Sequence, residues 1–320
     1  MHPIPEELTS GPFTRARARS LGVSNRQLDG KRFVRVYPRV FRAAEHQMSD
    51  TDWANAARLA LPPDAHLTGI SRLQQLGLDY GPHFPIRFVV ARDLHLAFDN
   101  VFLHRTKVLP PTDETGVSVA GAFISYCAHS RVIDAIKVGD WLLRRKHTTL
   151  DEIRTLALSG LWRHGADEAV WILEHLDGRA RSLMESELRA ILTFCGLPQL
   201  DVNVSVSIDE EVEVIGDLVY RPWRTIVEYE GGHHQEDRAT YNADIDRYEL
   251  LRSSGHHYIQ VTKERIRQPR ILVGQVYRTL LDRGYDGPPP AFGTQWELLF
   301  RSVSVAIGPR QDRDRRPAVG

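Results

Sequence analysis

The chain has 320 residues, 42% of them hydrophobic, and its 41 Lys and Arg residues equal its 41 Asp and Glu residues in number. This length predicts about two domains, and the zero net charge means that any affinity for nucleic acid must come from local concentrations of charge. Two cysteines exclude a disulfide framework, no apolar run approaches the ~18 residues of a membrane span, and no glycine-rich phosphate loop indicates ATP. With no signal-peptide pattern at its start, the chain is expected to be cytoplasmic.

Residues 13–42 are strongly basic, with nine Lys or Arg residues and only one acidic residue. Thr14 and Ser24 occupy N-cap positions of two short helical segments, and a Gly-containing turn separates these segments. An alternating basic run at 33–41 predicts a β-hairpin after them. This order predicts a winged helix-turn-helix at residues 1–50, although a small helical cap with a solvated basic face is the alternative. The expected DNA contacts are Ser24, Asn25, Arg26, Gln27, Arg35 and Arg39.

Three motifs follow the basic segment: Trp-Ala-Asn-Ala-Ala-Arg-Leu-Ala-Leu-Pro at 53–62, Leu-Thr-Gly-Ile-Ser at 67–71 and Leu-Gly-Leu at 76–78. Together with the basic start, they resemble the N-terminal domain of AbiEi-type antitoxins and transcriptional regulators. The resemblance implies DNA as a partner and leaves open a cognate toxin or a homodimer. Residues 51–177 are similar to the α/β second domain of that family. Three acids there are expected on helix faces or at a helix cap rather than on a metal: Asp134, Asp140 and Asp151.

Acidic residues are concentrated in a predicted hairpin at residues 214–230. Two β-branched and aromatic runs flank a turn of sequence Arg-Pro-Trp-Arg. If Tyr220 pairs with Thr225, then Asp217 lies directly across from Glu228, on the same face of the hairpin. Oxygen ligands in this arrangement suit a hard cation such as Mg²⁺. The alternative is a solvated polar face on an edge hairpin.

The region around and after this hairpin contains a Glu-Tyr-Glu-Gly run at 228–231, Asp237-Arg238 and Asp244-Ile245-Asp246-Arg247. With the Asp217 strand, these motifs resemble the C-terminal nuclease-like domain of bacterial proteins related to very-short-patch-repair endonucleases, domain of unknown function 559. That family belongs to the PD-(D/E)XK superfamily, whose core runs helix, three antiparallel strands, helix, strand. Matching segments are expected near 184–195, 202–206, 214–230, 236–253 and 257–262, with a closing helix over 263–282.

The resemblance also implies roles for individual residues. Asp217 corresponds to the motif aspartate, Glu228 to the second acidic metal ligand, and Glu185 to the acid on the first helix, a further ligand. The third motif position, which is lysine in many members of the superfamily, is Glu230 here. His234 matches the histidine of the family, whereas His233 has no counterpart. Arg238 and Arg247 are candidates for phosphate contact or for ion pairs with the acids.

These parts predict a metal-dependent DNA endonuclease that the N-terminal winged helix targets to DNA. Mg²⁺ or Mn²⁺ would polarise a phosphoryl oxygen and lower the pKa of an attacking water, with Glu230 or His234 as the base. The alternative is an antitoxin-like DNA-binding regulator whose nuclease-like domain is catalytically inactive. The expected fold class is α/β in the α+β sense: a winged helix-turn-helix (1–50), an α/β middle domain (51–177), a restriction-endonuclease-like αβββαβ core (178–285) and an irregular C-terminal extension (286–320).

Overall fold

The computed structural model describes residues 3–207, 213–230, 250–251 and 253–308. It is a mixed α/β protein with helices and three separate β-sheets, in agreement with the expected α+β class. The chain divides into two compact units, Met1–Ser125 and Tyr126–Gly320. Within the part of the chain that is described, no helix has the length and apolar character that crossing a membrane requires.

The first unit contains two three-stranded sheets and four short helices. In chain order its elements are a 3-10 helix at Glu6–Leu8, β1 (Phe13–Thr14), α1 (Arg15–Ser20), α2 (Asn25–Leu28), β2 (Phe33–Tyr37), β3 (Val40–Ala43), α3 (Asp50–Ala60), β4 (His66–Leu67), α4 (Gly69–Gln75), β5 (Ile86–Val90) and β6 (Val101–Arg105). The sheets have the strand orders β1-β3-β2 and β4-β5-β6. Helix α5 (Val119–Cys127) lies across the division between the units.

The hairpin of β2 and β3 contributes to two hydrophobic clusters. Phe33 and Phe41 pack with buried residues of α1 and α2, whereas Tyr37 and Val40 pack with buried residues of α3 and β5. The register shifts between Arg35 and Tyr37, so the two buried aromatic residues of β2 serve different clusters. The hairpin therefore lies between two separate hydrophobic clusters of the first unit.

The second unit is built on a four-stranded sheet and a set of helices. Its elements are α6 (Val132–Arg144), α7 (Leu150–Leu158), α8 (Ala166–Ile172), a 3-10 helix at Leu173–His175, α9 (Leu183–Phe194), β7 (Asp201–Ser207), β8 (Glu213–Tyr220), a 3-10 helix at Arg221–Trp223, β9 (Thr225–Tyr229), β10 (His257–Val261), α10 (Lys263–Ile266), α11 (Pro269–Asp282), α12 (Thr294–Leu298) and α13 (Val303–Ala306). The sheet order is β10-β9-β8-β7. Strands β7, β8 and β9 are antiparallel neighbours, and β10 runs parallel to β9.

Two predictions for the end of the chain were wrong. The single helix predicted over 263–282 is two helices, because Pro269 has no backbone N–H and Gln268 before it leaves the helical region at φ −117° and ψ 63°. The extension predicted as irregular contains α12 and α13. Trp296 of α12 packs against Phe292, which precedes this helix, and Phe300, which follows it, at ring-centroid distances of 5.0 and 5.4 Å. The helix predicted at 236–253 lies almost wholly outside the described residues.

A buried ion pair joins α6 to α9. Asp140 is fully buried, and its Oδ2 accepts a hydrogen bond from the Arg189 guanidinium at 2.8 Å. Its Oδ1 accepts one from the backbone N–H of Asp177 at 2.6 Å, and Arg189 also donates to the carbonyl of His175 at 2.8 Å. Burial raises the pKa of Asp140 to about 6, although Arg189 opposes this change. Asp140 is therefore a core residue and not the helix-face acid that was predicted.

Replacing Asp140 should strongly destabilise the protein, because Arg189 would keep a buried charge without its carboxylate. We expect Asp140→Ala to lower the free energy of unfolding by about 3–5 kcal/mol. Asp151→Ala is the matched control, because its ion pair with Arg154 leaves the Asp151 side chain 91% exposed and should contribute about 1 kcal/mol or less. Urea denaturation at pH 7 measures both. Equal urea midpoints for the two variants would contradict the prediction.

Candidate active site and nucleic-acid interface

The hairpin of β8 and β9 has the predicted register near its turn. Tyr220 pairs with Thr225 as expected, and the ladder continues to Leu218 and Val227. It ends there, one pair short of the predicted pairing between Asp217 and Glu228. Instead, Oδ2 of Asp217 accepts a hydrogen bond from the backbone N–H of Tyr229 at 3.2 Å. Strand β8 therefore parts from β9 at Asp217, and this carboxylate makes the next contact between the two strands.

Gly216 allows β8 to bend at this point. A Cβ atom at position 216 would lie 2.7 Å from Cγ2 of Val219 and 3.0 Å from Cγ2 of Ile226, closer than van der Waals contact permits. In a regular strand, residues three apart point to opposite faces of the sheet. The proximity of Gly216 to the Val219 side chain shows that this alternation is interrupted at Asp217 or Leu218, which is typical of a glycine at a close approach within a strand.

Asn203 lies opposite Asp217 in the pairing of β7 with β8. Backbone pairing connects Val202 with Leu218 and Val204 with Gly216, and it skips the position between them. Asn203 has a φ of 50°, a left-handed conformation that Asn tolerates better than most residues. Its Nδ2 donates to Oε2 of Glu185 at 2.7 Å and to the carbonyl of Arg179 at 2.9 Å. Because both partners are acceptors, these two bonds fix the orientation of the amide.

The other end of this amide is Oδ1 of Asn203, which is buried and has no hydrogen-bond partner among the described residues. A buried acceptor without a donor costs about 1–3 kcal/mol, and an ion or a water usually accounts for such an atom. Sequence reasoning did not identify Asn203. The only signal was an asparagine inside a β-branched run, a residue type that strands disfavour.

Glu185 is buried in the first turn of α9, next to the Ser182 N-cap. Its backbone N–H donates to Oγ of Ser182 at 3.1 Å, and its Oε2 accepts from the backbone N–H of Arg181 at 2.8 Å as well as from Asn203. The spacing Ser-x-x-Glu is typical of a capping box, and here the carboxylate reaches one residue further back than in that motif. Glu185 thus has a structural role at the helix start in addition to the metal-binding role predicted for it.

Glu228 is buried in the central strand β9, and its Oε2 accepts a hydrogen bond from the Tyr258 hydroxyl at 3.0 Å. Glu230 follows the end of the same strand, where its backbone N–H donates to the carbonyl of Val261 at 2.9 Å and its side chain is half-buried. Three residues predicted for the site or for DNA contact lie outside the described residues: His234, Arg238 and Arg247.

The three predicted carboxylates are not gathered into one compact group. Across residues 3–207, 213–230, 250–251 and 253–308, no three His, Cys, Asp or Glu side chains lie close enough together to hold a metal by themselves. Each carboxylate accepts a hydrogen bond from a different residue: Asp217 from Tyr229, Glu228 from Tyr258 and Glu185 from Asn203. Mg²⁺ is nevertheless commonly held by one or two carboxylates and several waters. The buried Oδ1 of Asn203, opposite Asp217 and on the amide that holds Glu185, fits an oxygen-bound cation of this kind.

The N-terminal basic surface has fewer available polar groups than predicted. Ser24 and Gln27 form a reciprocal capping box, with bonds of 2.7 and 3.3 Å between each side chain and the backbone N–H of the other residue. Both oxygens accept hydrogen bonds that cap α2, while the Ser24 hydroxyl and the Gln27 Nε2 can still donate, so contact of these residues with DNA remains a prediction. Asn25 and Arg26 in α2 and Arg39 at the hairpin turn are exposed.

Two arginines of this surface pack on one buried ring. The guanidinium of Arg15 lies 5.4 Å from the ring centre of Phe41, and that of Arg35 lies 5.8 Å from it. Such cation–π contacts restrict both side chains, and the Arg35 side chain stays exposed. Arg42 differs, since it donates to the carbonyls of Ala43, Ala44 and His46 at 2.7–3.0 Å and so stabilises the end of the hairpin.

Comparison of the sequence with protein-family models and with curated proteins finds no match in either set. The resemblances to AbiEi-type regulators and to the PD-(D/E)XK superfamily therefore remain predictions.

The bend at Gly216 gives a direct test of the strand geometry. Gly216→Ala should lower the free energy of unfolding by about 1–3 kcal/mol, because the added methyl group overlaps Val219 and Ile226. Gly274→Ala is the control: Gly274 lies inside α11 with nothing within 4 Å of an added Cβ, so alanine should stabilise the protein by about 0.5–1 kcal/mol. Melting temperatures that change in the same direction in both variants would contradict this account of Gly216.

Proposed function

We propose that this protein is a metal-dependent DNA endonuclease, targeted by an N-terminal winged helix-turn-helix. The observation that carries this proposal is the position of Asn203, which lies opposite Asp217 in the sheet and is bonded to Glu185. The Asn203 amide thus binds the first-helix acid of the predicted motif and lies in β7 at the level of the motif aspartate. Carboxylate and amide oxygens are the ligands that a hard cation prefers, so this grouping supports the proposed metal site.

The order of elements supports the nuclease-like part of the proposal. Helix α9 precedes the antiparallel strands β7, β8 and β9, and β10 then joins the sheet parallel to β9. This is the order and strand direction expected for a helix, three antiparallel strands and a fourth strand reached by a crossover. The helix expected in that crossover belongs to residues outside the described part of the chain.

The basic segment supports the DNA-binding part. Two short helices, α1 and α2, lie between β1 and the β2–β3 hairpin in a sheet of order β1-β3-β2, an arrangement that is compatible with a winged helix-turn-helix. The surface carries exposed cations that suit phosphate contacts: Arg17, Arg19, Arg26, Lys31, Arg35 and Arg39. Because α2 has only four residues and uses Ser24 and Gln27 for capping, we expect contacts to phosphates to outnumber contacts to bases.

In this proposal, metal binding and proton transfer during phosphodiester hydrolysis are assigned to different residues. Asp217 and Glu228 would hold Mg²⁺ or Mn²⁺, with Glu185 positioned nearby through Asn203. The bound cation would polarise the phosphoryl oxygen and lower the pKa of the attacking water. Glu230, at the end of β9, would accept the proton of that water, since the lysine found at this position in many superfamily members is absent.

A second candidate function is a DNA-binding regulator with an inactive nuclease-like domain. The specific observation that favours it is that the carboxylates in the described residues do not form a three-ligand metal group. The two functions share the basic N-terminal surface, so only cleavage separates them.

Cleavage should require Asp217 and a divalent cation. We expect the full chain to cut DNA with Mg²⁺ or Mn²⁺, Asp217→Ala to abolish cutting, and Glu230→Gln and His234→Ala to slow single-turnover cleavage by about 10²-fold or more. Asp201→Ala is a control, because Asp201 lies in the same sheet but pairs with Arg221 at the surface. If the parent protein cuts none of duplex, single-stranded, mismatched or branched DNA, the regulator replaces the enzyme as the proposed function.

DNA binding by the full chain should depend on salt and on the exposed basic side chains. The double variant Arg26→Ala/Arg39→Ala should weaken binding, and the slope of log K against log salt should become shallower by about 0.9 for each phosphate that the variant no longer neutralises. The matched control is Arg92→Ala/Arg105→Ala in the same unit, whose arginines are paired with Asp64 and Asp93. Fluorescence anisotropy at several salt concentrations measures the slopes. Equal slopes for both double variants would place the DNA elsewhere.

A further inference from the structure

The Asn203 amide has two polar atoms, and only one of them, Nδ2, has hydrogen-bond partners in the fold. Its Nδ2 holds Oε2 of Glu185 and the carbonyl of Arg179. Its Oδ1 is buried without a hydrogen-bond partner in the part of the chain that the structure describes. The left-handed backbone at φ 50° does not itself require asparagine, because glycine adopts this conformation with less strain. The amide is therefore needed for its polar atoms.

We propose that Asn203 is a ligand residue of the cation site, with Oδ1 as an additional oxygen ligand beside Asp217 and Nδ2 orienting Glu185. This inference rests on the proposed function, since it concerns the cation that Asp217 would hold. No role in metal binding follows for this position from the motif residues of the sequence.

The position of Asn203 in the sheet supports this role. Asn203 lies in β7 between the residues that pair with Leu218 and Gly216 of β8, which places it at the level of Asp217 in the sheet. Strand β8 leaves β9 at this same level, and backbone pairing of β7 with β8 is interrupted there.

The chemistry of an amide oxygen also suits the site. Hard cations accept Asn carbonyl oxygens together with carboxylates. A third carboxylate at position 203 would add repulsion next to Asp217 and Glu185 before any cation is bound. A neutral amide supplies an oxygen without that repulsion, and its N–H group fixes the neighbouring carboxylate, as hydrogen bonds around metal sites commonly do.

The test is Mn²⁺ binding to the full chain, measured by isothermal titration calorimetry. Asn203→Gly keeps a residue that tolerates positive φ but removes both polar atoms, and it should weaken Mn²⁺ affinity about tenfold or more. Asn100→Gly is the matched control, because Asn100 has a φ of 62° in the other unit and is exposed. It should bind Mn²⁺ as the parent does. Asp217→Ala should bind no Mn²⁺ at this site.

A second variant keeps the test decisive if Asn203→Gly does not fold. Asn203→Asp retains oxygen atoms and tolerance of positive φ, but it loses the donor to Glu185 and adds a negative charge. Its melting temperature without metal should fall, and Mn²⁺ should raise that temperature by more than it does in the parent. A shift no larger than that of the parent would overturn the role of Oδ1.

The outcomes separate this inference from the proposed function. If the parent binds no Mn²⁺, the cation itself is missing and the proposed nuclease function fails with it. If the parent binds Mn²⁺, Asp217→Ala does not, and Asn203→Gly binds as tightly as the parent, then the cation site stands and Asn203 is not part of it. Weakened binding in Asn203→Gly beside unchanged binding in Asn100→Gly supports the assignment.

Discussion

The hydrogen bond from the Tyr229 backbone to the Asp217 carboxylate determines the arrangement of the candidate site. It replaces the next rung of the ladder between β8 and β9, so a side chain holds the strands where main-chain pairing stops. A carboxylate in this position accepts from a backbone donor that would otherwise need another partner. The same bond fixes the carboxylate of Asp217 in β8 at the level of the sheet where Asn203 lies in the neighbouring strand β7. The end of the β8–β9 ladder and the position of the Asp217 carboxylate therefore depend on the same hydrogen bond.

Helix α9 also limits the geometry of the candidate site, because it contacts both α6 and strand β7. Glu185 and Arg189 are four residues apart and so lie on the same side of the helix, and both are buried. One reaches Asn203 in the sheet, and the other reaches Asp140 on α6. Because the ion pair with Asp140 fixes the rotation of α9, it also limits where the Glu185 carboxylate can lie. A residue remote from the sheet thus contributes to the geometry of the candidate site.

Turn type and strand pairing could be predicted from the sequence, because they depend on neighbouring residues. Features that depend on contacts between strands distant in sequence could not be predicted. The pairing of Tyr220 with Thr225 follows from the turn of four residues between two β-branched runs. The end of the ladder depends on Gly216 approaching Ile226 of the neighbouring strand, and no periodic pattern reports such a contact. The Ser24 N-cap was predicted from the sequence, and the part that Gln27 plays in the same capping box was also readable from the spacing Ser-x-x-Gln. The only sequence signal for Asn203 is an asparagine inside a β-branched run, and its hydrogen bonds to Glu185 and Arg179 follow only from the folded structure.

The shared hairpin of the first unit has a thermodynamic consequence. Phe33 and Phe41 anchor it in one hydrophobic cluster, Tyr37 and Val40 anchor it in another, and the Tyr37 hydroxyl donates to the carbonyl of Asp99 at 3.1 Å. Few backbone conformations of the β2–β3 hairpin allow its side chains to be buried in both hydrophobic clusters at once. The basic residues near its turn are therefore presented on a rigid support, and ordering them against a binding partner would cost less conformational entropy than ordering the same residues on a hairpin packed from one side.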